Sequence, residues 1–199
     1  MFDEREFSGR DSIQLIESMI NKAKNQFDEN GHLYLLWGWV VFFCSTSQFI
    51  LLHFLRYERH YLVWLCTWLV VIYQVIYLSR KRKHARVRTY TDEIIGYVWL
   101  AFVISMLLIA FILAKGGATK VYTIINPAFL ALYGIPTVLS GVILRFTPLK
   151  IGGLCCWLLS VAATFLRYDY QLLMIAAAML VAWIIPGYLL SEKSRKSKQ

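Results

Sequence analysis

Six long apolar runs, separated by short polar breaks, dominate this chain of 199 residues. A helix needs about 20 apolar residues to cross the roughly 30 Å hydrocarbon core of a membrane, and most of the runs reach that length. The sequence is 58% hydrophobic and has a mean hydropathy of +0.53. This apolar fraction is higher than that of a typical soluble domain. We therefore predict an all-α fold, a helical membrane bundle of six transmembrane helices.

The predicted domains follow from the positions of these runs. Residues 1–31 form an N-terminal segment, residues 32–190 a transmembrane domain, and residues 191–199 a basic tail. The predicted spans are about 33–55, 61–79, 94–114, 121–144, 151–166 and 172–190.

The segment Arg80–Arg88 places six Lys/Arg residues between the second and third runs. Basic loops resist transfer across a bilayer, so this loop is predicted to be cytoplasmic. With both termini on the same side as this loop, 16 Lys/Arg residues lie inside and 5 outside. This asymmetry predicts cytoplasmic termini, and it explains the net charge of +9 without nucleic acid as a partner.

A cytoplasmic amphipathic helix is predicted over Asp11–Asn30, with Asn30-Gly31 as its stop signal. Its apolar face carries Ile13, Ile16, Ile20 and Phe27. Residues 1–30 contain seven acidic and four basic side chains, whereas helices that lie on anionic lipid are rich in Lys and Arg. We therefore expect this helix to contact protein, either the basic loop at Lys81, Arg82 and Lys83 or a cytoplasmic partner. The alternative is a helix that only covers the inner mouth of the bundle.

Polar and helix-breaking residues within the runs have two interpretations. In the first, they line a path for a solute; these residues are Gln48, Gln74, Asn126, Pro127 and Pro136. In the second, they are structural: the amides form interhelical hydrogen bonds, and the prolines produce a kink that packs against the neighbouring helices. No Asp, Glu, Lys or Arg lies in the centre of a run, which argues against a carboxylate-coupled pump.

Small residues recur every fourth position in the fifth run, at Gly152, Cys156, Ser160 and Thr164. Runs four and six also place small residues four apart, at Thr137 and Gly141 and at Ala178 and Ala182. Such faces let helix backbones approach closely, so spans four to six are expected to pack tightly together. The alternative is a seam between copies of a homo-oligomer.

The sequence has no recognised catalytic motif and no metal-ligand spacing. His53, Glu58 and His60 come nearest to a metal site, but their spacing is not one that metal sites use. We therefore predict no catalytic residue, no cofactor and no metal, and the balance is against an enzyme. A lipid-modifying enzyme using His84, Asp92 and Glu93 near the headgroups ranks behind the two hypotheses below.

The segment Tyr34-Leu35-Leu36-Trp37-Gly38-Trp39, after an acidic amphipathic helix and before the remaining spans, resembles bacterial six-span integral membrane proteins that have no assigned activity. The resemblance implies a location in the bacterial cytoplasmic membrane and implies no reaction.

Two functional hypotheses follow, both with the lipid bilayer as a partner. In the first, the protein regulates or scaffolds a cytoplasmic partner through the Asp11–Asn30 helix and the Arg80–Arg88 loop. In the second, it is a permease or channel for a small solute, with a kinked fourth span lining the path.

Overall fold

The computed structural model describes residues 9–84, 90–115 and 118–196, and the side chains of residues 31–80, 93–115, 121–193 and 195. The described part of the chain is helical and contains no strand. In chain order it forms α1 (Gly9–His53), a 3-10 turn (His60–Trp64), α2 (Leu65–His84), α3 (Tyr90–Lys115), α4 (Ala118–Ile143), α5 (Thr147–Thr164), α6 (Tyr168–Met179), a π-helical turn (Leu180–Ile184) and α7 (Ile185–Lys196).

Among the described residues, six helical stretches are long and apolar enough to cross a membrane, which confirms the predicted number. They are Gly31–His53, His60–Arg80, Glu93–Lys115, Val121–Ile143, Thr147–Thr164 and Tyr168–Lys193. The fifth begins earlier than predicted because Pro148 occupies the first turn of α5, where a missing N–H group removes no helical hydrogen bond.

The predicted helix stop at Asn30-Gly31 is wrong, because α1 continues through it as one helix of 45 residues. Gly31 instead allows a close helix crossing. A Cβ atom at Gly31 would lie 2.7 Å from Ser191 Oγ, and one at Gly38 would lie 2.8 Å from Ile184 Cγ1. The two glycines, seven residues apart on one face of α1, let the final helical segment approach the α1 backbone.

The last three spans pack through glycine contacts, as the small-residue pattern predicts. A Cβ atom at Gly152 would lie 2.6 Å from the Cα atom of Ala182, and one at Gly153 would lie 2.9 Å from the Gly134 carbonyl oxygen. Thr164 departs from the pattern, since it is exposed and Ala163 is the buried residue at that end of α5.

An aromatic cluster joins α3 to this packed group. It contains Tyr34, Trp99, Phe102, Tyr133 and Trp183, which come from four different spans. Ring centroids lie 5.6 Å apart for Trp99–Trp183, 5.2 Å for Tyr133–Trp183 and 5.3 Å for Phe102–Tyr133. The two Trp183 pairs are edge-to-face and the Phe102–Tyr133 pair is tilted. Edge-to-face pairs add to the stability gained by burying the rings.

The sixth span is one continuous helical stretch that contains a π-helical turn. The Ile185 N–H group donates to the Leu180 carbonyl, five residues earlier rather than four. Pro186 follows directly and has no N–H group to donate to the Ala182 carbonyl, so the helix shifts its hydrogen-bond register here.

α2 lies at the edge of the molecule, where most of its large apolar side chains stay exposed. Trp68 and Leu69, for example, are 65% and 68% exposed. In a membrane such side chains face lipid at no hydrophobic cost.

Candidate functional site

Polar side chains gather at one end of the molecule, where α1 ends and the 3-10 turn and α6 begin. Four of them, Gln48, His60, Asp169 and Gln171, are buried. α4 begins and α5 ends at the same place, because the spans alternate in direction. Buried polar groups in an apolar bundle are costly unless they are bonded, so their partners decide what this end of the molecule can do.

The amide of Gln48 connects α1 to two other elements. Its Nε2 atom lies 2.9 Å from His60 Nδ1 and donates to the Tyr168 hydroxyl at 3.1 Å. Its Oε1 atom accepts from Trp64 Nε1 at 2.6 Å. All three bonds bridge separate elements, so Gln48 holds the 3-10 turn and the start of α6 against α1.

The Gln48 contacts also fix the proton position on His60. The Trp64 indole can only donate, so the Gln48 oxygen must face it and the nitrogen must face His60. The His60 Nδ1 atom then accepts a hydrogen bond, which places the imidazole proton on Nε2. His60 is neutral in this arrangement.

Asp169 forms a second connection between α1 and α6. Its Oδ2 atom lies 2.9 Å from His53 Nδ1, and its Oδ1 atom lies 3.7 Å from Arg167 Nε. The Asp169 side chain is 8% exposed, while that of Arg167 is 83% exposed. The His53–Asp169 contact joins the end of α1 to the start of α6, with the carboxylate as the acceptor.

The interruption of α4 by Pro127 has a defined partner in α6. Pro127 lacks an N–H group, which leaves the Thr123 carbonyl without its helical donor. Gln171 Nε2 donates to this carbonyl at 3.2 Å, and Ser160 Oγ donates to the Pro127 carbonyl at 2.8 Å. The neighbouring helices therefore satisfy the break and keep α4 packed.

An open surface groove of about 790 Å³ lies beside this break. We call it the α4–α6 pocket. Its walls are residues from the start of α4, the α5–α6 connection and the start of α6, including Tyr122, Phe165, Arg167, Tyr168 and Gln171. It combines aromatic rings, one cation and amide and hydroxyl groups.

The five proposed path-lining residues occupy separate environments. Gln74 accepts from Trp37 Nε1 at 2.6 Å, in a contact between α1 and α2. Pro136 is fully buried, and Asn126 is buried with no partner for its Nδ2 atom among the described residues. Only Gln48, Asn126 and Pro127 lie toward the polar end of the molecule.

The residues proposed to bind a partner lie outside the described side chains. They are Ile13, Ile16, Ile20, Phe27, Lys81, Arg82 and Lys83. The backbone of these residues is described. Residues 9–30 continue the first span, and Lys81–Lys83 belong to the end of α2, so the predicted start of the loop at Arg80 is wrong.

The histidines on either side of Glu58, His53 and His60, are not arranged as ligands of one metal ion. His53 pairs with Asp169 and His60 with Gln48. Among the described residues, no group of three or more His, Cys, Asp or Glu side chains is placed to bind a metal ion.

Sequence reasoning missed Trp64, Tyr168, Asp169 and Gln171. The predicted spans 151–166 and 172–190 leave Tyr168, Asp169 and Gln171 in the connection between them, whereas α6 begins at Tyr168 and buries both Asp169 and Gln171. One signal was available, since a proline in a buried helix requires a donor for the carbonyl four residues earlier, and Gln171 is a side chain that supplies it.

Comparisons of the chain with protein-family models, with curated proteins and with solved structures found no match. The class of the protein therefore rests on its fold, an all-helical chain with six helices compatible with an integral membrane protein.

Proposed function

We propose that this protein is a non-enzymatic integral membrane protein that regulates or scaffolds a cytoplasmic partner. It resides in the bacterial cytoplasmic membrane with both termini inside. The partner surface consists of the N-terminal helix, through Ile13, Ile16, Ile20 and Phe27, and the basic residues Lys81–Lys83 at the end of α2. A six-helix bundle anchors these two segments.

The observation that carries this choice is that the amides of Gln48, Gln74 and Gln171 form hydrogen bonds to neighbouring helical elements. Gln48 uses both amide atoms in three bonds, and Gln74 accepts from Trp37. The Thr123 carbonyl, which has no N–H donor from Pro127, accepts from Gln171. Groups engaged in this way stabilise helix packing and are not available to a passing solute.

The middle of the bundle is also filled. Trp183 is 2% exposed and donates through Nε1 to Thr137 Oγ1 at 2.9 Å. Leu130 and Met179, which belong to the same core, are fully buried. A packed interior of this kind supports an anchoring role better than a transport role.

The continuity of α1 supports the proposed coupling between membrane and cytoplasm. The helix extends 22 residues beyond the first candidate span, about 33 Å at 1.5 Å per residue. A partner bound to this extension would connect directly to the span that carries Gln48.

Purification from native membranes in mild detergent tests the proposal. A stoichiometric protein that copurifies with the wild type should be lost from a variant lacking residues 1–30 and from the triple variant Lys81→Glu, Arg82→Glu, Lys83→Glu. The charge-conserving variant Lys81→Arg, Lys83→Arg should retain it. Copurification that does not change in the deletion variant would contradict the proposed surface.

Docking of the N-terminal helix on the chain's own loop has a separate test. The triple charge reversal should raise protease cleavage within residues 11–30 in inside-out vesicles. Cleavage equal to that of the wild type would exclude this intramolecular contact. A sidedness assay on the same vesicles is the control, because removing basic residues also weakens the orientation signal.

The permease remains the second candidate, and one observation favours it. Asn126 is 6% exposed, precedes Pro127, and has an Nδ2 atom without a partner among the described residues. Solute flux into liposomes by a protein lacking residues 1–30, with flux reduced by Asn126→Leu, would select the permease. No flux above that of empty liposomes would select the anchoring role.

A further inference from the structure

We propose that the α4–α6 pocket binds the headgroup of a phospholipid that carries a hydrogen-bond donor, such as phosphatidylethanolamine. This site is independent of the proposed partner surface. It lies at the opposite end of the first candidate span from the N-terminal extension, because α1 enters the span at Gly31 and reaches the polar end at His53.

Gln171, one of the residues that line the pocket, carries an unpaired acceptor that is buried, so a ligand donor must enter between the pocket walls to reach it. Gln171 is 1% exposed, and its Nε2 atom donates to the carbonyls of Thr123 at 3.2 Å and Leu166 at 3.1 Å. These two bonds fix the orientation of the amide and leave Oε1 without a partner among the described residues. An unpaired buried acceptor is destabilising, so a ligand that donates to it gains from the contact.

Tyr168 supplies the reciprocal group. Its hydroxyl accepts from Gln48 Nε2 at 3.1 Å, which leaves its own hydrogen able to donate to a ligand oxygen. The Tyr122 ring packs edge-to-face against the Tyr168 ring at 5.0 Å, and both rings line the pocket.

Arg167 provides the positive charge that a phosphate requires. Its side chain is 83% exposed, and its Nε atom is 3.7 Å from Asp169, beyond a good hydrogen bond. The guanidinium can therefore turn to a phosphate, which it binds with two parallel N–H groups.

The position of the pocket favours a lipid over a soluble ligand. Its walls come from the ends of three candidate spans, and the ends of spans are where headgroups meet the hydrocarbon in a bilayer. Phe165, at the pocket edge, is 84% exposed. An exposed ring beside a cationic and polar pocket suits a molecule with a charged head and an apolar chain.

Native mass spectrometry of the detergent-solubilised full chain with added lipids of matched acyl chains tests the site. Phosphatidylethanolamine should bind about five-fold more tightly than phosphatidylcholine, whose headgroup lacks a donor, as expected for one additional hydrogen bond. Arg167→Gln should weaken binding of both lipids, and Tyr122→Leu should weaken both by displacing Tyr168. Arg59→Gln removes an exposed cation at the same end outside the pocket and should leave both affinities unchanged.

Equal affinities for the two lipids would overturn the proposal, as would equal losses in Arg167→Gln and Arg59→Gln. Glycerophosphoethanolamine serves as the water-soluble arm. Binding of this compound as tightly as the lipid would overturn the lipid assignment, whereas binding at least ten-fold weaker would support it. Unchanged elution volume in size-exclusion chromatography identifies variants that are folded.

Discussion

At the residue scale, Gln48 is a buried side chain whose amide forms three hydrogen bonds to other helical elements. Gln48→Leu would leave the Trp64 indole and the Tyr168 hydroxyl without this partner. We expect it to lower the free energy of unfolding by about 2 kcal/mol. Gln74→Leu, which removes a single bond from Trp37, should cost about 0.6 kcal/mol. Unfolding in mixed detergent and SDS micelles measures both, and equal losses would contradict the structural role assigned to Gln48.

Arg145 offers a residue-scale change in the opposite direction. It has a φ angle of 50°, in the left-handed region, and follows the last turn of α4. The N–H groups of Arg145 and Phe146 donate to the carbonyls of Val142 and Gly141, an arrangement in which glycine is the preferred residue. Arg145→Gly should therefore stabilise the protein by up to about 1 kcal/mol. Arg145→Val removes the same charge and should destabilise it, and thermal unfolding of the two variants distinguishes backbone strain from charge.

At the scale of the helices, two glycines in similar surroundings by sequence have opposite roles. A Cβ atom at Gly152 would meet the Ala182 backbone at 2.6 Å, whereas one at Gly96 would meet nothing within 4 Å. Gly152→Ala should therefore cost about 1–3 kcal/mol through overpacking. Gly96→Ala should gain about 0.5–1 kcal/mol by restricting the unfolded chain and favouring helix. Thermal unfolding in detergent tests the pair, and a loss at both positions would mean that α3 packs more closely than described.

The same comparison shows why the helices could be predicted from sequence while part of their ends could not. Apolar length alone identifies the six candidate spans, because the cost of an exposed backbone in lipid forces each run into a helix. Gly31 gives the same local signal whether it ends a helix or permits a crossing, and only the position of Ser191 distinguishes the two. The small-residue pattern around Gly152 was predictable because its periodicity is carried by one helix.

The polar cluster could not be predicted from the sequence, because its members meet only through tertiary packing. Gln48 and Tyr168 are 120 positions apart, and His53 and Asp169 are 116 apart. Gln48 was identified as a polar residue in a span, but two of its partners, His60 and Tyr168, lie in connections between the predicted spans. Local patterns identify buried helices, whereas the bonds between helix ends depend on which ends are neighbours.

At the scale of the whole molecule, the arrangement of the spans makes a prediction about sidedness. The helices alternate in direction, so the Glu58 connection and the C-terminal end of α3 at Lys115 belong to the same end as the α4–α6 pocket. With 16 Lys/Arg residues assigned to one side and 5 to the other, this end is predicted to face away from the cytoplasm.

Alkaline phosphatase fused at Glu58 or after Lys115 should be active, because this enzyme folds only outside the cytoplasm. A green fluorescent protein fused after Gln199 should fluoresce, because that end is predicted to be cytoplasmic. The charge reversal at Lys81, Arg82 and Lys83 should lower phosphatase activity without abolishing it, since the side assigned to the cytoplasm still carries more basic residues than the other. Active phosphatase at Glu58 together with a dark fluorescent protein would place the two termini on opposite sides. An odd number of crossings would then be required, and at least one of the six helices would lie outside the membrane.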